Sequence, residues 1–255
     1  MYDFTYHRPK SLSEAVSLLA GSEDAKLMAG GQTYIPTLKQ RLAQPTDLID
    51  LGSIAELKGI KEEAGGVTIG AMTRHADVVR SPVVKQQIPA LAALVELIGD
   101  PAVRHRGTLG GSISNNDPAA DYPGAVVGLA ATVRTNKREI AADDFFTGMF
   151  ETALERDEIV TAVHFPRPEK AAYMKFPNPA SRYAVVGVFV ARTSGAVRVA
   201  VTGAGPTVFR WREAETALGS NFAPGAIDGL TVAAGNLNSD IHASAEYRAN
   251  LVKVM

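Results

Sequence analysis

The amino-acid sequence predicts an α+β protein built in two parts, and three observations carry the prediction. Over roughly the first 55 residues, helix-like and strand-like segments alternate, as in a small βαβ unit of parallel strands. From about residue 158 the texture changes to four apolar strand-like runs separated by short turns, the pattern of an antiparallel sheet. Between these parts lies a glycine-bearing stretch, VRHRGTLGGSISNNDPAADYP at 103–123, which echoes MAGGQTYIP at 28–36.

The elements follow in order. In SLSEAVSLLAG, Ser11 precedes Glu14 by three residues as in a capping box, Leu12, Val16, Leu18 and Leu19 are its apolar positions, and Gly21 ends the helix. AKLMAG reads as a short buried strand, TYIPTLKQRL as a helix with Pro36 in its first turn, and DLIDLGS at 47–53 as the next strand. GVTIGAMT at 66–73 alternates as a strand, and PALAALVELIGD at 89–100 reads as an amphipathic helix. Residues 101–123 then read as a long loop, ended by the apolar run AVVGLAATVRTN. EIVTAVHFP, AAYMKF, YAVVGVFVART and AVRVAVTGAG are the four late strands. Ser194-Gly195 supplies a tight hairpin, and WREAETALG and SAEYRANLVKVM follow as helices.

Composition narrows the function. Of 255 residues, 46% are apolar, enough for a buried core. Twenty-six basic against 27 acidic residues leave a net charge of -1 with no basic stripe, so nucleic acid is not an expected partner. The longest apolar-rich segment is too short to cross a bilayer and no leader pattern opens the chain, so the expectation is a cytoplasmic protein without a transmembrane segment. With no cysteine, the chain supplies no disulfide, no thiolate nucleophile and no thiolate-bound cluster. The five histidines are scattered without metal-ligand spacing.

The glycine pairs carry the chemistry. Glycine adopts positive φ and lets backbone N–H groups approach an anion without a Cβ in the way. Gly30 and Gly31 lie between a strand and a helix, where a pyrophosphate would sit. Gly110 and Gly111, followed by Ser112, Asn115 and Asn116, offer a second nest with hydroxyl and amide groups. Paired glycines also serve as plain turns, but two pairs with adjacent hydroxyls favour a nucleotide. VAVTGAGPTV at 199–208 imitates a dinucleotide fingerprint, yet Val208 stands where the third glycine should and the run lies among antiparallel strands. No GxxxxGK[ST] or GxSxG occurs.

AGGQTYIP, IGDPAVRHRGTLGGSISNNDPAADYP, DEIVTAVHFP, YMKF, VTGAGPTVFRWREAE and IHASAEYRANL together resemble, in order and along the whole chain, the FAD-binding or medium subunits of molybdenum hydroxylases, the family of carbon monoxide dehydrogenase and xanthine dehydrogenase. The resemblance implies a vanillyl-alcohol-oxidase-like FAD-binding domain over 1–170, with α/β subdomains of about 1–55 and 56–170. A small α+β domain with antiparallel sheet would occupy 171–255. It implies non-covalent FAD held at Ala29, Gly30, Gly31, Gln32, Thr33 and Tyr34 and at Thr108, Leu109, Gly110, Gly111 and Ser112. Asn115 and Asp121 would bind cofactor hydroxyl or amine groups, Ile159 and Val160 would meet the adenine end, and Lys175 would lie near the cofactor. Asp121 has a second reading as a cap of the helix starting at Tyr122.

Tyr34, Ser114, Asn115 and Asn116 depart from the family's usual residues, and the loop FPNPASRY at 176–183 is its least constant part. The resemblance also implies partners: a large subunit with the molybdenum cofactor and a small one with [2Fe-2S] clusters, assembled as a dimer of heterotrimers. In that arrangement FAD collects electrons and passes them to a final acceptor, and this chain supplies no acid–base catalyst. The competing expectations are a free-standing flavin oxidoreductase of the same fold and a scaffold without flavin.

Overall fold

The computed structural model describes residues 1–63 and 65–255. It opens with β1 (Thr5–His7), α1 (Leu12–Gly21), β2 (Lys26–Met28), α2 (Tyr34–Lys39) and β3 (Asp47–Asp50). The three strands form a parallel sheet in the order β1-β3-β2. Ser11 caps α1, its Oγ accepting from Glu14 N–H at 3.2 Å, while the Glu14 carboxylate accepts from Lys10 N–H, one residue before the capping-box position. β2, expected to be buried, is half-exposed because the order places it at an edge. The central β3 carries the buried Leu48 and Ile49.

Next come β4 (Ile60–Glu63), β5 (Gly66–Gly70) and six short helices: α3 (His75–Arg80), α4 (Pro82–Gln87), α5 (Pro89–Glu96), α6 (Pro101–Arg106), α7 (Leu109–Asn115) and α8 (Tyr122–Gly128). The stretch 101–123, expected as a loop, is therefore largely helical. Its caps explain why. Asp100 Oδ1 accepts from Val103 N–H at 2.8 Å ahead of Pro101, and Thr108 Oγ1 accepts from Gly111 N–H at 3.2 Å. Both glycines fall in the first turn of α7, where the Thr108 cap and backbone bonds to a neighbouring segment outweigh their low helix propensity.

β6 (Thr132–Thr135), β7 (Glu139–Ala141), α9 (Ala142–Phe145) and the small hairpin β8 (Phe146–Gly148) and β9 (Glu151–Thr152) follow. β10 (Val160–Pro166) then inserts into an antiparallel five-stranded sheet of order β4-β5-β10-β6-β7. Its position between β5 and β6 buries Val163 and Phe165 completely.

The last sheet is antiparallel, β11 (Lys170–Pro177), β12 (Ala184–Thr193), β13 (Ala196–Thr202) and β14 (Phe209–Arg210), and is followed by α10 (Arg212–Ser220) and α11 (Ala245–Val254). Ser194 and Gly195 turn the hairpin with φ 50° and 78°, both positive as a type I′ turn requires. The fingerprint-like VTGAG ends β13 in a packed turn: a Cβ on Gly203 would stand 2.6 Å from Ala184 O, so the glycine serves close backbone packing against the start of β12. One face of this sheet sends Tyr173, Phe189 and Ala200 into the same core as Leu91, Leu94 and Val126 of the helices. The other packs Val186, Val188, Val199 and Trp211 beneath α10 and α11. Each fully buried aliphatic or aromatic side chain contributes about 1.5–3 kcal/mol of transfer free energy.

Candidate cofactor site

The two glycine loops meet along one cavity of about 740 Å³, within the range of about 300–1,000 Å³ typical of small-molecule sites. The first loop, residues 29–33, joins β2 to α2. A Cβ on Gly30 would lie 2.1 Å from Arg106 O, so only glycine lets this loop touch the end of α6. Gly31 has φ 73°, and the amides of Gly31, Gln32 and Thr33 find no protein acceptor among the described residues. Unpaired N–H groups beside a positive-φ glycine form an anion-binding concavity.

The second pair does something different from what the sequence suggests. Leu109 N–H donates to Thr73 O (3.1 Å), Gly110 N–H to Ala71 O (2.8 Å), Gly111 N–H to Thr108 Oγ1 (3.2 Å) and Ser112 N–H to Thr108 O (3.0 Å). These amides are taken, so the segment is not a second open nest. Its glycines permit close approach instead. A Cβ on Gly110 would meet Ala71 Cβ at 2.6 Å, and one on Gly111 would meet Thr108 Oγ1 at 2.9 Å and Ala29 Cβ at 3.2 Å. The second pair thus seats one loop against the other.

The residues expected at the site distribute as follows. Ala29, Gly30, Gly31, Gln32, Thr33, Tyr34, Thr108, Gly110, Gly111, Ser112, Asn115, Asp121, Ile159 and Val160 line the cavity; Leu109 and Lys175 do not. Leu109 points into the core. Lys175 stands behind the cavity wall, its Nζ donating to Asp121 Oδ2 (2.9 Å) and Leu97 O (3.1 Å). Asp121 makes no cap bond to α8, which removes the capping reading; its Oδ1 accepts from Tyr173 OH at 2.5 Å. Burial pushes the Asp121 carboxyl up, while the Lys175 charge and hydrogen bonds from Tyr173 and Lys175 pull it back. Asn116 turns away to bond the β8–β9 hairpin. Ile159 gives both its N–H and its carbonyl to Asn136, leaving only its side chain for the cavity.

Sequence reasoning missed His75, Gly107, Asp117, Glu158, Phe150, Arg182 and Tyr183, which also line the cavity. His75 is 4% exposed, its ring 5.4 Å from that of Tyr122 and pressed against Gly107, where a Cβ would meet Nε2 at 2.6 Å. Burial, with the nearby Arg104 charge, lowers its pKa to about 4, so the ring is neutral at physiological pH. No local pattern marks this histidine; the only hint is its place at the first turn after β5. Glu158 is held at about 2, first by its hydrogen bonds from Arg138 and further by Glu155 N–H and Thr135, against the upward pull of burial.

The cavity's chemistry tests the implied cofactor. Tyr34 OH and His75 Nδ1 are buried with no hydrogen-bond partner among the described residues, which native interiors rarely tolerate and a polar ligand would relieve. Leu27, Ile98, Val103, Leu154, Ile159 and Val160 supply an apolar wall. Free amides at one loop, buried polar atoms and an apolar wall suit a ligand that is anionic at one part and flat and apolar at another, as FAD is.

Comparison with known proteins agrees. Residues 2–168 match the family described as the FAD binding domain in molybdopterin dehydrogenase. The chain is 38% identical to the nicotine 6-hydroxylase medium subunit of Paenarthrobacter nicotinovorans, covering 97% of this chain and 93% of that subunit. It is 40% identical to the carbon monoxide dehydrogenase medium chain of Hydrogenophaga pseudoflava over 81% of this chain and 77% of that one. A solved structure of carbon monoxide dehydrogenase from Hydrogenophaga pseudoflava, lacking the Mo-pyranopterin moiety, superposes with TM-score 0.88 at 36% identity over 99% of this chain and 94% of that chain. With the family model spanning most of the sequence and the fold shared end to end, the chain belongs to the FAD-binding medium subunits of the molybdenum hydroxylases.

Proposed function

We propose that this chain is the electron-transfer flavoprotein subunit of a molybdenum-dependent dehydrogenase, with non-covalent FAD in the cavity between the glycine loops. The observation that carries the reading is the meeting of the free amides at 31–33 with the orphaned Tyr34 OH and His75 Nδ1 in one cavity. FAD, when bound, exchanges electrons singly or in pairs, which suits a junction between one-electron clusters and a two-electron acceptor. The chain's own work is to bind and orient. The amides of Gly31, Gln32 and Thr33 hold phosphate oxygens, and Tyr34 and His75 present polar atoms to the ligand. Asp121, braced by Tyr173 and Lys175, fixes the wall where α8 begins, and the apolar side chains of Ile159 and Val160 exclude water.

The relatives named above are medium subunits or medium chains, so the expected partners are a large molybdenum-cofactor subunit and a small iron–sulfur subunit, as a dimer of heterotrimers. In such an assembly this chain would hold the FAD that accepts electrons from the partner chains, and substrate choice would belong to the large chain. Purification from the native host checks the proposal. The expected result is one FAD per copy of this chain, co-eluting with molybdenum and iron. A stable single-chain preparation that oxidises a substrate unaided would overturn it in favour of a free-standing flavoprotein.

A further inference from the structure

One buried asparagine holds a rim of the cavity. Asn116 is 1% exposed and sits in the left-handed region (φ 42°) just after α7. Its Nδ2 donates to the carbonyls of Gly148 (2.8 Å) and Glu151 (2.7 Å), the two ends of the β8–β9 turn, and also approaches Thr207 Oγ1 at 3.4 Å. Its main-chain carbonyl accepts from Phe150 N–H at 3.1 Å inside that turn. A single residue therefore grips the tip at both ends and in the middle.

The gripped residue is unusual. Phe150 has φ 57°, a conformation that a bulky side chain rarely adopts. Its side chain is 57% exposed and yet lines the cavity, which places it at the boundary between cavity and solvent. The backbone conformation costs free energy that the surrounding structure must offset. Strain that surrounding structure over-determines belongs with sites that need a fixed geometry. Asn116 supplies the over-determination, because the amide's two donor hydrogens are both engaged.

We propose that Asn116 is a positioning residue and Phe150 a fixed lip at the cavity mouth. The lip narrows the access of bulky solutes, electron acceptors among them, to the bound cofactor. The inference rests on the reading that the cavity holds FAD. Acting through Phe150, Asn116 controls access rather than affinity for the cofactor.

The test uses the FAD-containing complex and the variants Phe150→Ala, Asn116→Asp and the double variant. Asn116→Asp replaces the donating amide by an acceptor facing two carbonyls. With FAD content equal to wild type, both single variants should raise the constant for quenching of flavin fluorescence by acrylamide about threefold, and the double variant should match Phe150→Ala alone. The KM for a bulky dye acceptor should fall in step, while the KM of the molybdenum subunit's substrate stays unchanged. Unchanged quenching in Phe150→Ala, or additive effects in the double variant, would overturn the lip. If Asn116→Asp does not fold, the exposed Phe150→Ala decides by itself. Amide exchange across 148–151 reads the clamp without the cofactor: Asn116→Asp should speed it about tenfold, and unchanged exchange would overturn the clamp. Complexes that contain no FAD in wild type would refute the cavity reading instead, and leave that exchange measurement to judge Asn116.

Discussion

Single residues in this protein divide into those that permit contact and those that make it. Gly30 permits. Any side chain there would drive a Cβ into the Arg106 carbonyl, a backbone atom that cannot rotate away. Gly30→Ala should therefore part the first loop from α6 and lower FAD retention by at least about tenfold, equivalent to about 1.4 kcal/mol, measured by flavin content after gel filtration. Lys175 makes contact. Its ammonium and the Asp121 carboxylate are both nearly fully buried. Lys175→Met would leave that carboxylate with only the Tyr173 hydroxyl, and stability to urea should drop by about 3–5 kcal/mol. The family resemblance put Lys175 near the cofactor. The structure places it one layer behind the cavity wall, bonded to Asp121, which does line the cavity.

At the scale of elements, the clearest lesson is the stretch 101–123. Its glycines and polar residues look like breakers, yet Asp100 and Thr108 are the kind of residues that start helices, and both do so. The caps were present in the sequence; what obscured them was the assumption that adjacent glycines interrupt a helix rather than sit in its first turn. Thr108→Val removes the side-chain acceptor for Gly111 N–H and should cost about 1 kcal/mol in denaturant unfolding, the usual loss for a cap. Thr108→Ser should restore it. The strands were easier to read. Alternation and apolar runs located β5, β10, β12 and β13 closely, and Ser194-Gly195 marked its hairpin. What no local pattern supplied was the partnership of β10, which follows the early strands by a long interval and still joins β5 and β6.

The whole molecule shows its assembly in its response to pH. His75 is neutral when folded, with a pKa of about 4 against 6.5 for the ordinary side chain. Between those values the unfolded chain binds the proton and the folded chain does not, so acid favours unfolding. The stability this group contributes is complete above pH 6.5 and is lost as pH falls through about 4, up to about 3 kcal/mol. His75→Gln should flatten the stability curve over that window in urea titrations at fixed FAD concentration. A curve unchanged by the substitution would show that another group carries the slope.

Composition and motif order determined that this is an α+β protein with two glycine-bearing stretches and which family the chain resembles, and they raised the expectation of a nucleotide at those stretches. Those features are local, or repeat along the chain, so they survive without coordinates. Tertiary structure decided the rest. It showed that the first loop keeps its amides free while the second has its own occupied, because Ala71, Thr73 and Thr108 come from segments that only folding brings together. It also brought His75 beneath Gly107 and Phe150 to the cavity mouth. A histidine's burial and an aromatic ring's exposure depend on what packs against them, and those neighbours are distant in the chain.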